Sequence, residues 1–139
     1  MTAELTQEVS ERLESDRYAW LTTVAKSGQP VPRLVWFFFD GNDVTVYTMP
    51  DAAKVRHIKA HPRVSLNLDS NGDGGGVVAV GGEARIDAVD TDPLADEQYR
   101  AKYGEYAKGM GMTEEFLAAF NMRLKFTVDK VWTTPSEPE

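Results

Sequence analysis

A run of five apolar residues, Val35-Trp-Phe-Phe-Phe39, leads directly into the turn sequence Asp40-Gly41-Asn42-Asp43. β-Branched and aromatic residues favour strands, and a short Asp/Gly/Asn-rich segment between apolar runs is typical of a hairpin turn. The sequence therefore predicts a strand over Val31–Phe39 that folds back into a second strand over Val44–Met49. Because a hairpin pairs its two strands antiparallel, this feature indicates an antiparallel sheet.

Further segments have the same composition and are bounded by turn residues. These predicted strands are Tyr18–Val24, Arg63–Asp69, Val77–Ala88 and a last one from Leu124 to about Thr133. Six strands in meander order within 139 residues predict a single, mainly β domain over residues 1–139. At this size an antiparallel barrel is favoured over a sandwich.

Short helices are predicted at the ends of several strands. The first, Thr2–Ser15, is amphipathic and has Thr2 as its N-cap. The second, Asp51–His61, has Asp51 as its N-cap and ends before Pro62. Two more are predicted, from Thr91 to about Lys108 and from Thr113 to about Asn121, and the polar tail Pro135–Glu139 is expected to fray.

The charge and residue composition exclude several classes of function. The net charge of −7 argues against a nucleic-acid partner, because such binding depends on neutralising phosphates with Lys and Arg. The absence of cysteine excludes disulfides and thiolate metal sites. No apolar segment is long enough to span a membrane, so we expect a cytoplasmic protein. His57 and His61 lack a third ligand nearby in the sequence, and no metal site is predicted.

The aromatic run cannot place all of its rings on one face, because side chains alternate along a strand. One set is expected to fill the barrel, and the other set requires a separate cover. A homodimer interface and the N-terminal helix are the two alternatives for that cover.

Lys54 and Arg56 lie at the predicted start of the second helix. Cations are disfavoured there by the positive end of the helix dipole unless an anion is bound between them. The residues alone leave two interpretations equally open, a bound phosphate and an ordinary solvated basic face.

A longer pattern around these residues resembles a known family. The segment Val44-Thr-Val-Tyr47-Thr48-Met-Pro-Asp-Ala-Ala-Lys54-Val-Arg56, followed by His61-Pro-Arg-Val-Ser-Leu66, is similar to the pyridoxamine-phosphate-oxidase-like family. The resemblance implies a six-stranded split β-barrel that forms a homodimer, with FMN or the deazaflavin F420 in each of two grooves at the interface.

The resemblance also implies the residues that bind the cofactor. Lys54 and Arg56 would hold its phosphate. The end of the hairpin strand and the strand before it would contact the ring system and the ribityl chain, through Tyr47, Thr48, Met49, Arg33, Val35 and Trp36.

Two departures from the family pattern refine the predicted function. FMN-dependent members usually carry Arg-Lys where this chain has Ala53-Lys54, which favours F420 over FMN. The residues after Trp132 lack the elements that bind pyridoxal phosphate, so activity as a true pyridoxamine-phosphate oxidase is not expected. The sequence thus predicts an F420-dependent oxidoreductase that transfers hydride to or from a small molecule. The alternatives are an FMN-dependent oxidoreductase and a non-catalytic flavin or F420 carrier.

Overall fold

The computed structural model describes residues 3–134. In chain order, the elements of this part of the chain are α1 (Gln7–Ser15), β1 (Tyr18–Val24), β2 (Pro30–Trp36), β3 (Phe38–Phe39), β4 (Asp43–Thr48), α2 (Ala53–Ala60), β5 (Arg63–Leu68), β6 (Val78–Ala88), α3 (Glu97–Gly109), α4 (Glu114–Ala118), β7 (Met122–Thr127) and β8 (Lys130–Thr133). A short 3-10 turn, Pro93–Ala95, precedes α3. The predicted mainly β architecture with short helices is confirmed.

All of the strand pairs are antiparallel, and the sheet curls into a split barrel. The strand order is β2-β1-β5-β6-β7-β4-β3, with β8 added alongside β6. The long strand β6 joins the two halves of the barrel, because its first part pairs with β5 and β8 and its second part with β7.

Gly82 marks the point at which β6 passes from one half of the barrel to the other. A Cβ atom at this position would lie only 2.1 Å from the carbonyl oxygen of Thr127. Backbone approaches of this kind require glycine. The sequence therefore allows no larger residue where the two half-sheets meet.

Residues 3–134 form eight strands where six are predicted, because two predicted strands are interrupted. The first break is at Phe37, whose N–H donates to the Tyr103 hydroxyl oxygen at 2.8 Å and whose carbonyl accepts from Lys102 Nζ at 2.8 Å. The second break follows Thr127, where the Val128 N–H donates to Asn42 and the chain crosses to pair with the other end of β6. In both places, the backbone N–H or C=O groups form hydrogen bonds outside the strand pairing that the alternating sequence pattern predicts.

Three helix starts differ from the prediction. The helix expected from Thr91 begins at Glu97, with Asp96 as its N-cap. The first helix begins at Gln7 with Thr6 as its N-cap, since the Thr6 hydroxyl accepts the Val9 N–H; Thr2 lies outside the described residues. The second helix begins at Ala53, and Ala52 occupies the N-cap position without any side-chain hydrogen bond. The predicted Asp51 cap is therefore wrong, and the first amides of α2 have no side-chain acceptor.

The interior divides into two packed clusters. The larger one, which we call the barrel core, consists of apolar side chains from the strands, α1 and α2, including Phe37 and Phe39. The smaller one, the α3 cluster, contains Phe38, Tyr47, Tyr99 and Tyr103, with Trp36 packed against it.

The α3 cluster corrects the expectation for the aromatic run. Its alternate rings do point to opposite sides, but the cover over Trp36 and Phe38 comes from Tyr99 and Tyr103 of α3 in the same chain. Neither the N-terminal helix nor a partner subunit is needed there. This run therefore gives no reason to expect a dimer.

No helix among residues 3–134 is long and apolar enough to cross a membrane.

Candidate functional site

A pocket of about 250 Å³ lies where strands β2 and β4 meet the helices α2, α3 and α4. Strand and α2 residues form one side of it, namely Leu34, Val35, Trp36, Tyr47, Thr48 and Lys54. The other side is formed by residues of α3, of α4 and of the segments that flank α4, namely Tyr99, Met112, Phe116, Leu117 and Phe120. The pocket is thus mainly apolar, with a few polar groups, as small-molecule sites usually are.

Lys54 is the charged residue that lines this pocket. It is half-buried on the first turn of α2, and its Nζ lies 3.4 Å from the Thr48 hydroxyl oxygen. Burial lowers the pKa of Lys54, and the positive charge of nearby Arg33 lowers it further. Within residues 3–134, no carboxylate forms an ion pair with Lys54. A half-buried cation beside a second cation favours a bound anion.

Arg56 occupies a different position from Lys54. It is exposed, does not line the pocket, and donates from Nη1 to the Asp51 carbonyl oxygen at 3.3 Å. Residues two apart on a helix point to different faces, which is why the structure separates the two predicted phosphate ligands. Arg33 and Met49 also lie outside the lining, although Arg33 is close enough to affect Lys54.

Tyr47 connects the pocket to a polar network. Its hydroxyl donates to Asp96 Oδ2 at 2.7 Å, and Arg123 Nη1 lies 3.5 Å from the same hydroxyl. Burial, as the main cause, and the Asp96 carboxylate raise the pKa of Tyr47 to about 12. Asp96 also caps α3, accepting the Gln98 and Tyr99 N–H groups. The position of Tyr47 is therefore tied to the start of α3.

Trp36 is held by the α3 cluster. Its indole is stacked on Tyr103 with ring centroids 4.5 Å apart and an interplanar angle of 6°. Tyr106 makes a tilted contact with it at 5.7 Å. The ring that lines the pocket is thus fixed in orientation by two tyrosines of α3.

The structure brings together Val35, Trp36, Tyr47, Thr48 and Lys54 of the predicted residues. The α3–α4 side of the pocket was not predicted as a ligand-binding surface. Phe116, Leu117 and Phe120 could have been noticed as an apolar stripe at helical spacing, but such a stripe does not indicate which surface it covers. Met112 lies with Met110 in a glycine-rich break between two predicted helices, where methionines can form a lid over a groove or simply fill gaps in the packing.

Known proteins with this architecture are similar to the chain over most of its length. General stress protein 26 from Bacillus anthracis is 19% identical, with a TM-score of 0.66, and the match covers 91% of this chain and 90% of that one. An F420 reductase is 22% identical, with a TM-score of 0.66 and coverage of 92% and 98%. HutZ, described as the heme storage protein of Vibrio cholerae, is 15% identical, with a TM-score of 0.61 and coverage of 94% and 95%.

At these identities the likeness to solved structures shows the fold and does not carry over a function. No curated protein matches the chain. A sequence model of the pyridoxamine 5'-phosphate oxidase family, however, matches residues 5–134, almost the whole chain. The chain therefore belongs to the pyridoxamine 5'-phosphate oxidase family, whose split-barrel fold it has.

Proposed function

We propose that this protein is an F420-dependent oxidoreductase that binds the deazaflavin in the pocket between β2, β4 and α2. The observation that carries the proposal is Lys54, a half-buried cation that lines an otherwise apolar pocket and has no carboxylate partner among the described residues. A phosphate at Lys54 would supply the missing negative charge.

The start of α2 supports an anion at the same place. Its first turn contains no acidic residue, and Ala52 gives its amides no side-chain acceptor. A helix start with free N–H groups attracts negative charge through the helix dipole. Arg33 adds a second positive charge near Lys54. In this proposal, Lys54 and the α2 amides bind the phosphate directly, while Arg33 and the exposed Arg56 contribute at longer range.

The remaining pocket residues fit the ring end of such a coenzyme. Val35 and the fixed indole of Trp36 provide an apolar wall, and Thr48 ends β4 beside Lys54. Met49 follows directly after β4, outside the lining, and would contact the coenzyme only at its edge. A deazaflavin supplies hydride transfer itself, so the protein has to bind, orient and exclude water. The Tyr47 proton is directed at Asp96, so we assign Tyr47 a positioning role and expect solvent to exchange any proton required.

A homodimer is part of the proposal, because the pocket is open at one side. Leu34 lines the pocket and is 51% exposed. It lies in one cross-strand row with Trp20, 43% exposed, and Trp132, 53% exposed, through the register Leu34–Trp20–Asn67–Ala79–Trp132. A second copy packed on this row would cover these apolar side chains and close the pocket at Leu34.

FMN is the second candidate cofactor, because the family to which the chain belongs includes FMN-dependent members. Ala53 in place of a second basic residue favours F420. Among the described residues that line the pocket there is no histidine, so heme, which the HutZ description names for that protein, has less support here. A carrier without turnover would bind the coenzyme through the same residues.

Titration of the protein with F420, FMN and hemin, followed by absorbance and fluorescence, tests the proposal. We expect F420 to bind with micromolar or better affinity and to be reoxidised from its reduced form by some member of an acceptor panel. If FMN binds tightly and F420 does not bind, the coenzyme is FMN instead of F420. If F420 binds but no acceptor reoxidises its reduced form, the protein is a carrier and not an oxidoreductase.

Lys54→Gln should weaken coenzyme binding by about 1.5–3 kcal/mol, the range for a hydrogen bond to a charged group. Lys59→Gln is the matched control, since Lys59 is an exposed lysine on the same helix. Arg56→Gln should have an effect between the two. Equal affinity for the Lys54 and Lys59 variants would show that the phosphate is bound elsewhere.

A further inference from the structure

Apart from Tyr99 of α3, one side of the pocket comes from a single short segment of the chain. We call it the α4 wall; it consists of Met112, Phe116, Leu117 and Phe120. All of its members are apolar. Among the described residues that line the pocket there is no carboxylate, and Lys54 is the one charged side chain.

Two of the three hydroxyl groups that line the pocket make contacts within the protein, whereas the structure records no hydrogen bond of the Tyr99 hydroxyl among the described residues. The Thr48 oxygen lies 3.4 Å from Lys54 Nζ, and the Tyr47 hydroxyl donates to Asp96 at 2.7 Å. When Lys54 binds a phosphate, as the proposed function requires, no charged lining side chain among the described residues is left to balance a second charge. A charged substrate group would then lose its hydration without gaining a partner of opposite charge.

The charges around the α4 wall act against anions in particular. Glu114 and Glu115 occupy the first turn of α4 and are exposed. Together with a phosphate at Lys54, they would repel a second negative group at this wall. Their effect is screened by salt but remains within a Debye length of the wall.

Phe116 offers an unused contact surface at the edge of the pocket. Its side chain is 48% exposed, and its ring packs edge-on against Phe120 with centroids 5.4 Å apart. The Phe116 N–H donates to the Thr113 hydroxyl at 3.0 Å, which fixes the start of the helix. A held, half-exposed aromatic ring can stack on a flat apolar ligand.

We infer that the α4 wall is a subsite for an uncharged, ring-bearing substrate beside the coenzyme, and that it discriminates against anionic substrates. The discrimination against anions rests on the proposed function, because it requires that Lys54 bind the phosphate of the coenzyme. The existence of the apolar subsite does not depend on the proposed function and can be tested without coenzyme.

Calorimetric titration with naphthol and naphthoate provides matched probes, since both carry the same ring and only naphthoate is charged at neutral pH. With saturating F420, or FMN if that is the coenzyme, we expect naphthol to bind the full-length protein at least about tenfold more tightly than naphthoate. Without coenzyme the difference should narrow, because Lys54 is free to pair with the carboxylate. In the Lys54→Gln variant without coenzyme, the difference in affinity between naphthol and naphthoate should widen again, because the cation that pairs with the carboxylate is gone.

Variants at Phe116 separate recognition from folding. Phe116→Leu should bind naphthol within about threefold of the parent. Phe116→Lys should weaken naphthol about tenfold and strengthen naphthoate. A purely structural role for Phe116 would weaken both probes together, and circular dichroism checks that the variants fold.

Several results would overturn the inference while leaving the coenzyme proposal intact. They are equal binding of the two probes to the loaded protein, displacement of naphthol by the coenzyme, and no binding of naphthol to the parent. If neither F420 nor FMN binds, the proposed function fails instead. The naphthol titrations of the Phe116 variants then still decide whether the subsite exists.

Discussion

The barrel core and the α3 cluster are packed by different means. The barrel core consists of apolar side chains, most of them from strand residues that alternate in and out, together with some from α1 and α2. In the α3 cluster, the Tyr103 hydroxyl bonds to backbone groups of Phe37 and Arg17, and the Tyr47 hydroxyl donates to Asp96. The first region depends on buried area, which is nondirectional, whereas the second depends on hydrogen bonds whose partners must be in place. The pocket borders the second region.

Leu66→Ala should have the largest effect, because Leu66 is fully buried in the barrel core. The variant leaves a cavity that neighbouring strands cannot fill, and we expect a loss of about 2–5 kcal/mol in the free energy of unfolding. Urea denaturation measures it. A loss below about 1 kcal/mol would mean that the barrel core relaxes more easily than a closely packed interior should.

Tyr103→Phe should cost less, about 1–3 kcal/mol in the free energy of unfolding, because the Phe37 N–H would be left buried without its acceptor. Tyr106→Phe is the matched control, since the structure records no hydrogen bond of the Tyr106 hydroxyl within residues 3–134. We also expect faster amide exchange in α3 for the Tyr103 variant. Equal stability of the two variants would contradict the distinction between directional and nondirectional packing.

Lys102 should give the smallest effect, and one that depends on pH. Burial lowers the pKa of this lysine from 10.5 to about 8, although nearby Asp16 opposes the shift. Between these two values the unfolded chain binds more protons at this residue than the folded protein does. Raising the pH through this window should therefore stabilise the parent relative to Lys102→Met.

The difference between the two melting curves, recorded from pH 7 to about 10.5, isolates this residue, because the raised tyrosine pKa values are common to both proteins. A difference that is independent of pH would show that Lys102 keeps an ordinary pKa. Its contact with the Phe37 ring, at 4.1 Å, would then fully offset its burial.

The sequence predicts the barrel well because local patterns determine it. Tyr18–Val24 has the same bounds in the structure, and the turn at Asp40–Asp43 connects the strands as expected. The break at Phe37 could not be predicted, since it is made by Tyr103, 66 residues further along the chain. An uninterrupted apolar run contains no signal for a bond to a distant helix.

The residues of the candidate site also fall into those that local sequence patterns predict and those that depend on packing between distant segments. Trp36, Tyr47 and Lys54 come from contiguous patterns, and the structure brings them into one pocket. Arg56 was predicted beside Lys54 because the two are close in sequence, but the helix turns them apart. Phe116, Leu117 and Phe120 of the α4 wall are not predicted as site residues, because a helical stripe does not specify the surface on which it packs.

The Tyr103 hydroxyl also bears on how the protein is made. It connects segments that are 66 and 86 residues apart, at Phe37 and Arg17. A ribosome adds residues at about 5–20 per second. The rings of Trp36 and Phe38 therefore stay uncovered for on the order of 3–13 seconds, until the residues of α3 that cover them have been synthesised. During that interval, the most apolar strand of the nascent chain is exposed to other chains. We therefore expect a chaperone to raise the yield of this protein, and slow synthesis before residue 97 to lower it, with little effect of either on the stability of the folded protein.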